Sequence, residues 1–165
     1  MRHIISIVLQ NEAGALARVA NLFSSRGYNI ESLNVAPTLD ETVSRLTLVT
    51  RGSDNVIDQI TKQLGKLVDV VSITDMTSAD HIERELALVK LRGRDGGEER
   101  LAQLFASFGA RVLDDHGQSA TVELIGGGPD IDRFLSRAAE EAEVLSVVRS
   151  GAMAVSRGAP ARGRA

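Results

Sequence analysis

The residues able to do chemistry are few and scattered. Of the three histidines, His3 opens an apolar run, His81 closes a polar joint and His116 stands in Asp114-Asp115-His116-Gly117. None has a second histidine at helical spacing, so the chain carries no signature of a metal site. Asp115 and His116 could form half of an acid–base pair, but Asp-Asp-His-Gly between two β-rich runs has the composition of a hairpin turn, and the turn is preferred. Two glycine clusters, Gly93-Arg94-Asp95-Gly96-Gly97 and Gly126-Gly127-Gly128, precede helical patterns and so could cradle a phosphate. Neither is followed by a Walker lysine, and neither is the G-x-G-x-x-G of a parallel βαβ unit, so both read as loops that open helices. With no cysteine there is no thiol nucleophile, thiolate zinc site or iron–sulfur cluster. No catalytic constellation emerges.

A third candidate is Asn11-Glu12-Ala13-Gly14-Ala15-Leu16, between an apolar run and a helical stripe. Gly14 permits close approach to the backbone, and the N–H groups of a helix start suit a small carboxylate. Asn11 has an amide that both donates and accepts, which fits a ligand bearing both ammonium and carboxylate. The alternative is that Asn11 supports the turn and Gly14 simply packs closely. A second polar cluster, Arg26-Gly27-Tyr28-Asn29, follows the same helix. A helix from about residue 14 to 26 is roughly 18 Å long, so Asn29 and Gly14 of one chain do not share a small ligand. A symmetric dimer that sets the second strand of one chain beside the first loop of the other would unite them in two equivalent sites. Asn29 reads equally as a polar residue after a glycine cap.

Four amphipathic stripes must position these loops. Leu16, Val19, Ala20 and Phe23 stand at i, i+3, i+4 and i+7, as do Leu101, Leu104, Phe105 and Phe108, and Ile131, Phe134, Leu135 and Ala138; Val56, Ile60, Leu64 and Leu67 make the fourth. Between them lie strand-like runs at 4–9, 30–35, 43–50 and 68–73, then 86–91, 111–113, 121–125 and 144–148. Residues 2 to 76 thus give strand, helix, strand, strand, helix, strand, and residues 82 to 150 repeat it. The order βαββαβ, found twice, predicts an α+β chain of two consecutive ferredoxin-like domains, over residues 1–77 and 82–158, with 159–165 a mobile tail. Units this small bury a modest share of their surface, and each sheet has one face without helices, so association is expected. On the first strand Ile4 and Val8 make that second face apolar as well, fit to meet a partner sheet.

Composition narrows the function classes. The chain has 165 residues, 43% hydrophobic and 25% charged, with net charge −3, and its aromatics are one tyrosine and four phenylalanines, so the cores must be aliphatic. No basic excess marks a nucleic-acid surface, and no apolar run approaches a membrane span. The opening run is too short, and too soon followed by Gln10, Asn11 and Glu12, for a secretory signal. Nothing argues for an oxidising compartment, so the cytoplasm is expected.

Three stretches make the chain recognisable: Asn11-Glu12-Ala13-Gly14-Ala15-Leu16-Ala17-Arg18-Val19, then Leu22 to Leu33 with its Arg26-Gly27-Tyr28-Asn29-Ile30-Glu31-Ser32-Leu33 run, then Ser44-Arg45-Leu46-Thr47. They resemble the ACT domain of the acetolactate synthase (acetohydroxyacid synthase) small subunit. Gln63-Leu64, Lys66 to Val70, His81 to Lys90, Arg149-Ser150-Gly151 and Ser156-Arg157-Gly158 are similar to later segments of that family, which extends the likeness over residues 1 to 158. Within it, residues 92 to 140 match only in the order of elements.

The resemblance implies a regulatory subunit with no catalytic site and no cofactor of its own. Its partner would be a large catalytic subunit carrying thiamine diphosphate, Mg2+ and FAD, which condenses two pyruvates to 2-acetolactate and CO2, or pyruvate with 2-oxobutanoate, in branched-chain amino acid biosynthesis. The small subunit would raise that activity and confer feedback inhibition by valine. By the same resemblance the effector site takes Asn11, Gly14, Ala15 and Leu16 from one chain and Asn29 and Ile30 from the other chain of an ACT homodimer, with Ala36 and Gln59 nearby. Ala17 departs from the family, where serine is frequent, and removes a hydroxyl near the site. Two other readings remain: an RNA-binding module, disfavoured because Ile, Val, Leu and Ser hold the central-strand positions where such modules carry aromatics, and a stand-alone amino-acid sensor acting on another partner.

Overall fold

The structure is a computed structural model that describes residues 1–94 and 96–158; the expected tail at 159–165 lies outside the described residues. In order, the chain forms β1 (Arg2–Gln10), α1 (Ala15–Ser25), β2 (Ile30–Pro37), β3 (Val43–Arg51), α2 (Asp54–Leu64) and β4 (Val70–Asp75). There follow β5 (His81–Gly93), α3 (Glu98–Phe108), β6 (Arg111–Asp115), β7 (Ser119–Gly126), α4 (Gly128–Glu141), β8 (Ala142–Arg149) and a short β9 (Met153–Ser156). The βαββαβ order therefore occurs twice, and the fold is the expected pair of ferredoxin-like units. Contacts divide the chain into Met1–Ile82 with the described residues from Ala152 onward, and Glu83–Gly151.

In the first unit the strand order is β2-β3-β1-β4, with every pairing antiparallel. Two-residue alternation assigns the faces: Ile5, Ile7 and Leu9 of β1 and Leu46 and Leu48 of β3 point toward the helices and are buried with Val19, Phe23, Ile57, Ile60 and Leu64. The register sets Ile5 opposite Leu48 and Ile7 opposite Leu46, so the two central strands supply a continuous aliphatic floor. Helix α1 turns its face slightly from the one expected. Ala15, Val19 and Phe23 are the buried residues, whereas Leu16 is 36% exposed. The helix closes at Gly27, whose φ of +71° is the left-handed turn anticipated there, and Tyr28 N–H donates to Phe23 O.

The opposite face of this sheet is partly covered by the end of the chain. Ile4, Val49 and Met76 form a second buried cluster with Ala152 and Ala154. Ala154 N–H donates to Thr47 Oγ1 at 3.4 Å, and Arg157 bonds Asp80 through both its backbone amide and its guanidinium. Residues 153–156 form β9, which pairs with β5, and by contacts they group with the first unit, whereas the expected second domain runs to 158. Val68 also differs from expectation. Residues 65–69 form a turn that precedes β4 and leaves Val68 89% exposed.

The second unit has strand order β6-β7-β5-β8 with antiparallel pairings. Ala87, Val89, Leu91, Val122 and Leu124 pack beneath Leu101, Leu104, Phe105, Ile131, Phe134 and Ala138. Phe134 is fully buried, with the ring of Phe108 edge-on to it at 5.5 Å. Asp114-Asp115-His116-Gly117 is the hairpin turn expected, with Gly117 at φ +75° and His116 N–H donating to Ser119 O.

Candidate functional site

The loop from Asn11 to Gly14 joins the end of β1 to the start of α1 and is exposed throughout. Two bonds tie its first residue to the β2–β3 connection: Asn11 N–H donates to Thr42 O at 2.8 Å, and the side-chain amide of Asn11 donates to Glu41 O at 2.9 Å. The support role weighed for Asn11 is thus present, and it occupies one of the donors offered to a ligand. Gly14 has φ +87°, which L side chains adopt only with strain, so glycine is needed for the chain to enter the helix as it does. No side chain caps α1 and no acid stands in its first turn. Ala15 N–H reaches Glu12 O, while the first-turn amides beyond it have no acceptor within the helix. Partial positive charge therefore collects at Leu16 and Ala17, next to an exposed leucine side chain. Ala15 itself is 1% exposed, and its methyl group belongs to the core.

Two residues absent from the sequence-derived site lie against this loop. Arg18 donates from Nε to Asp69 Oδ2 at 2.5 Å and from Nη2 to Asp69 Oδ1 at 2.7 Å, a two-pronged pair. The Asp69 side chain is 6% exposed and that of Arg18 47%. Asp69 O in turn accepts Gln10 N–H at 2.7 Å, so the same residue anchors the last residue of β1. Hydrogen bonding to Arg18 holds the Asp69 carboxyl below the usual carboxylate range, and raises the guanidinium in turn. Arg18 Nη1 lies 3.1 Å from the point where a side chain on residue 14 would begin. The only sequence signal was the i, i+4 spacing of Arg18 from Gly14; its partner Asp69 is 51 positions away.

The remaining candidates lie elsewhere. Asn29 is exposed at the far end of α1, and its carbonyl accepts Thr50 Oγ1–H at 2.7 Å. With α1 eleven residues long, about 16 Å separates its ends, so Asn29 and Gly14 of one chain stand apart as the helix length required. Ile30, half-buried, packs against the aliphatic core. Ala36 is exposed on β2 opposite Arg45, and Gln59 is exposed on α2. Of the histidines, His3 is buried, its ring between Gly52 O at 3.2 Å and Thr77 Oγ1 at 3.4 Å, a packed position within the first unit. Among the described residues no cluster of three or more His, Asp or Glu has the arrangement of a metal site, and no helix is long and apolar enough to cross a membrane.

Comparison with known proteins assigns both units. Residues 5–72 match the family model for the AHAS small subunit-like ACT domain, and residues 84–158 match the model for the small subunit of acetolactate synthase. The acetolactate synthase isozyme 3 small subunit of Salmonella typhimurium is 45% identical over 158 residues, 96% of this chain and 97% of that one. The acetolactate synthase small subunit of Mycobacterium leprae is 40% identical over 156 residues, 94% of this chain and 92% of that one. The crystal structure of the Thermotoga maritima acetolactate synthase small subunit superposes with a TM-score of 0.85 at 31% identity, covering 96% of this chain and 99% of that one. Both units in order, at nearly the full length of each relative, leave one assignment: the chain belongs to the acetolactate synthase small-subunit family.

Proposed function

We propose that this protein is a regulatory subunit that acts in the cytoplasm on a thiamine diphosphate-dependent acetolactate synthase, raises its conversion of two pyruvates to 2-acetolactate and CO2, and makes that activity sensitive to valine. The observation that carries the reading is the match of both units, in order, to one family across 96% of the chain. The valine site takes Asn11, Gly14, Ala15 and Leu16 from one protomer and Asn29 and Ile30 from the other. Its carboxylate would meet the first-turn amides of α1, its ammonium the asparagine side chains and backbone carbonyls, and its isopropyl group a small aliphatic pocket.

Strand register supports a two-chain site. β2 is an edge strand, and both Pro37 and Leu9 pair with Ser44, while Ile30 and His3 both pair with Thr50. The Pro37 end of β2 therefore lies at the same end of the sheet as Asn11, and the Ile30 end lies opposite. Antiparallel pairing of β2 with the β2 of a second copy sets Ile30 of the partner subunit beside Pro37, next to the Asn11 loop, and two-fold symmetry repeats the arrangement. Valine at that junction ties two chains together, and it inhibits only as far as it favours one arrangement of the complex over another; about 1 to 3 kcal/mol of coupling gives several-fold to hundredfold effects.

The test is reconstitution. The full chain is mixed with a purified acetolactate synthase catalytic subunit from the same organism, and acetolactate formation is followed with and without valine. Stimulation that valine reverses is expected. No stimulation and no co-elution defeats the proposal, and valine binding without co-elution would favour the stand-alone sensor.

A further inference from the structure

We infer that Arg18, held in place by Asp69, is a further ligand-binding residue of the effector loop and contacts the carboxylate of the bound amino acid; the inference rests on the effector-site reading above. A guanidinium has five N–H groups in a rigid fork. Nε and Nη2 are committed to the two oxygens of Asp69, at 2.5 and 2.7 Å. Both hydrogens of Nη1 lie outside that pair, and Nη1 stands 3.1 Å from where a side chain on residue 14 would begin. Glycine at 14 keeps this space clear, so a small molecule that settles there meets a cation already oriented.

Burial makes the arrangement stiff on one side and open on the other. Asp69, 6% exposed and bonded through its carbonyl to Gln10 N–H, cannot follow a moving arginine, while Arg18, 47% exposed, remains within reach of solvent and ligand. Asp69 is accordingly a positioning residue that acts through Arg18. A carboxylate beside Gly14 gains charge-assisted bonds from Nη1 without the cost of ordering a free side chain, because Asp69 has already ordered it. An amino-acid amide offers Nη1 only a neutral carbonyl oxygen and gains a weaker bond.

The experiment is calorimetric titration of the full chain with valine and with valinamide, for the wild type, Arg18→Met, Arg18→Lys and Asp69→Asn, each checked for fold by circular dichroism. The wild type should prefer valine by about tenfold or more, the effect of a charged hydrogen bond. Arg18→Met should lower that preference several-fold, leaving the part due to the first-turn amides of α1, with Asp69→Asn between the two. Arg18→Lys keeps the charge but cannot hold both Asp69 oxygens and reach Gly14 at once. It should lose part of the preference, and it carries the test if Arg18→Met does not fold. Unchanged preference in the folded Arg18 variants, or equal weakening of both ligands, overturns the inference while leaving the effector site standing. A wild-type chain that binds neither ligand defeats the site itself, and this inference with it.

Discussion

Thr47 accepts a hydrogen bond from the backbone amide of Ala154, 107 positions further along the chain. That contact seats a strand of small residues on a sheet face that would otherwise present Ile4, Val49 and Met76 to water. Ala152 and Ala154 point inward and are 4% and 7% exposed, while Met153 and Val155 point out. A larger side chain at these inward positions has to displace the residues packed against them. Ala154→Leu should destabilise the first unit by about 1–3 kcal/mol through overpacking, and Thr47→Val by about 1 kcal/mol through loss of the acceptor for a buried N–H. Urea unfolding of the full chain measures both.

Gly14→Asp introduces a β-carbon at a φ of +87° and places it 3.1 Å from Arg18 Nη1. The backbone strain costs about 1–2 kcal/mol. The new carboxylate would occupy the position proposed for that of valine, so binding in calorimetry should be lost while the chain remains folded. Gly14→Ala carries the strain and sets a methyl group in the same space without the charge, so it should weaken binding, but less than Gly14→Asp does.

Acid stability tests the Arg18–Asp69 pair. The Asp69 carboxyl is lowered by its hydrogen bonds from Arg18, so the folded state keeps it ionised at pH values where the unfolded chain, with a carboxyl near about 3.9, takes up a proton. The stabilisation is complete above that unfolded value and disappears as pH falls through the lower folded one. Asp69→Asn should therefore flatten the loss of stability below about pH 4, measured as urea midpoints at a series of pH values.

In the second unit Arg149 bridges two acids, with Nε and Nη2 on Glu85 at 2.7 and 2.8 Å and Nη1 on Asp132 at 2.7 Å. Glu85 is 7% exposed at its side chain and Arg149 35%. Arg149→Met strands the buried carboxylate and should cost about 2 kcal/mol, below the value for a fully buried pair because the guanidinium is part-solvated. Glu85→Gln in the same chain should recover much of the loss, which a double-mutant cycle on thermal midpoints resolves.

Phe134→Ala removes a fully buried ring that packs against Phe105 and Phe108. A loss of about 3–5 kcal/mol is expected, confined to the second unit and read by calorimetric unfolding.

Local patterns carried most of this architecture. The stripes at Val19–Phe23 and Leu101–Phe108, the Gly27 stop and the Gly117 hairpin each follow from neighbours within a few residues, and each is where periodicity put it. Three features were illegible for one physical reason, dependence on partners distant in sequence. Strand β9 is four residues long, pairs with β5, and packs its alanines against Ile4, Val49 and Met76. Arg18 has nothing nearby in sequence to mark its role, because its partner Asp69 is 51 positions away. The choice of Ala15 over Leu16 as core residue turns on a small rotation of α1 against the sheet, and both residues fit the stripe equally well. Within the candidate site, Gly14 drew notice as a glycine that permits close approach to the backbone, while its φ of +87° and the hold of Asn11 on Glu41 depend on how the chain enters α1 and how the β2–β3 connection folds back.

The strand laid across the first sheet also has a temporal meaning. Its inward alanines leave the ribosome only after all of the second unit, and at roughly 5–20 residues per second the 75 or so intervening residues take several seconds to make. During that interval the nascent first unit carries a bare apolar patch around Ile4, Val49 and Met76. For those seconds it is an aggregation-prone intermediate on each polysome, open to chaperone capture or to mispairing with a neighbouring nascent chain, and it is quenched when Ala154 arrives.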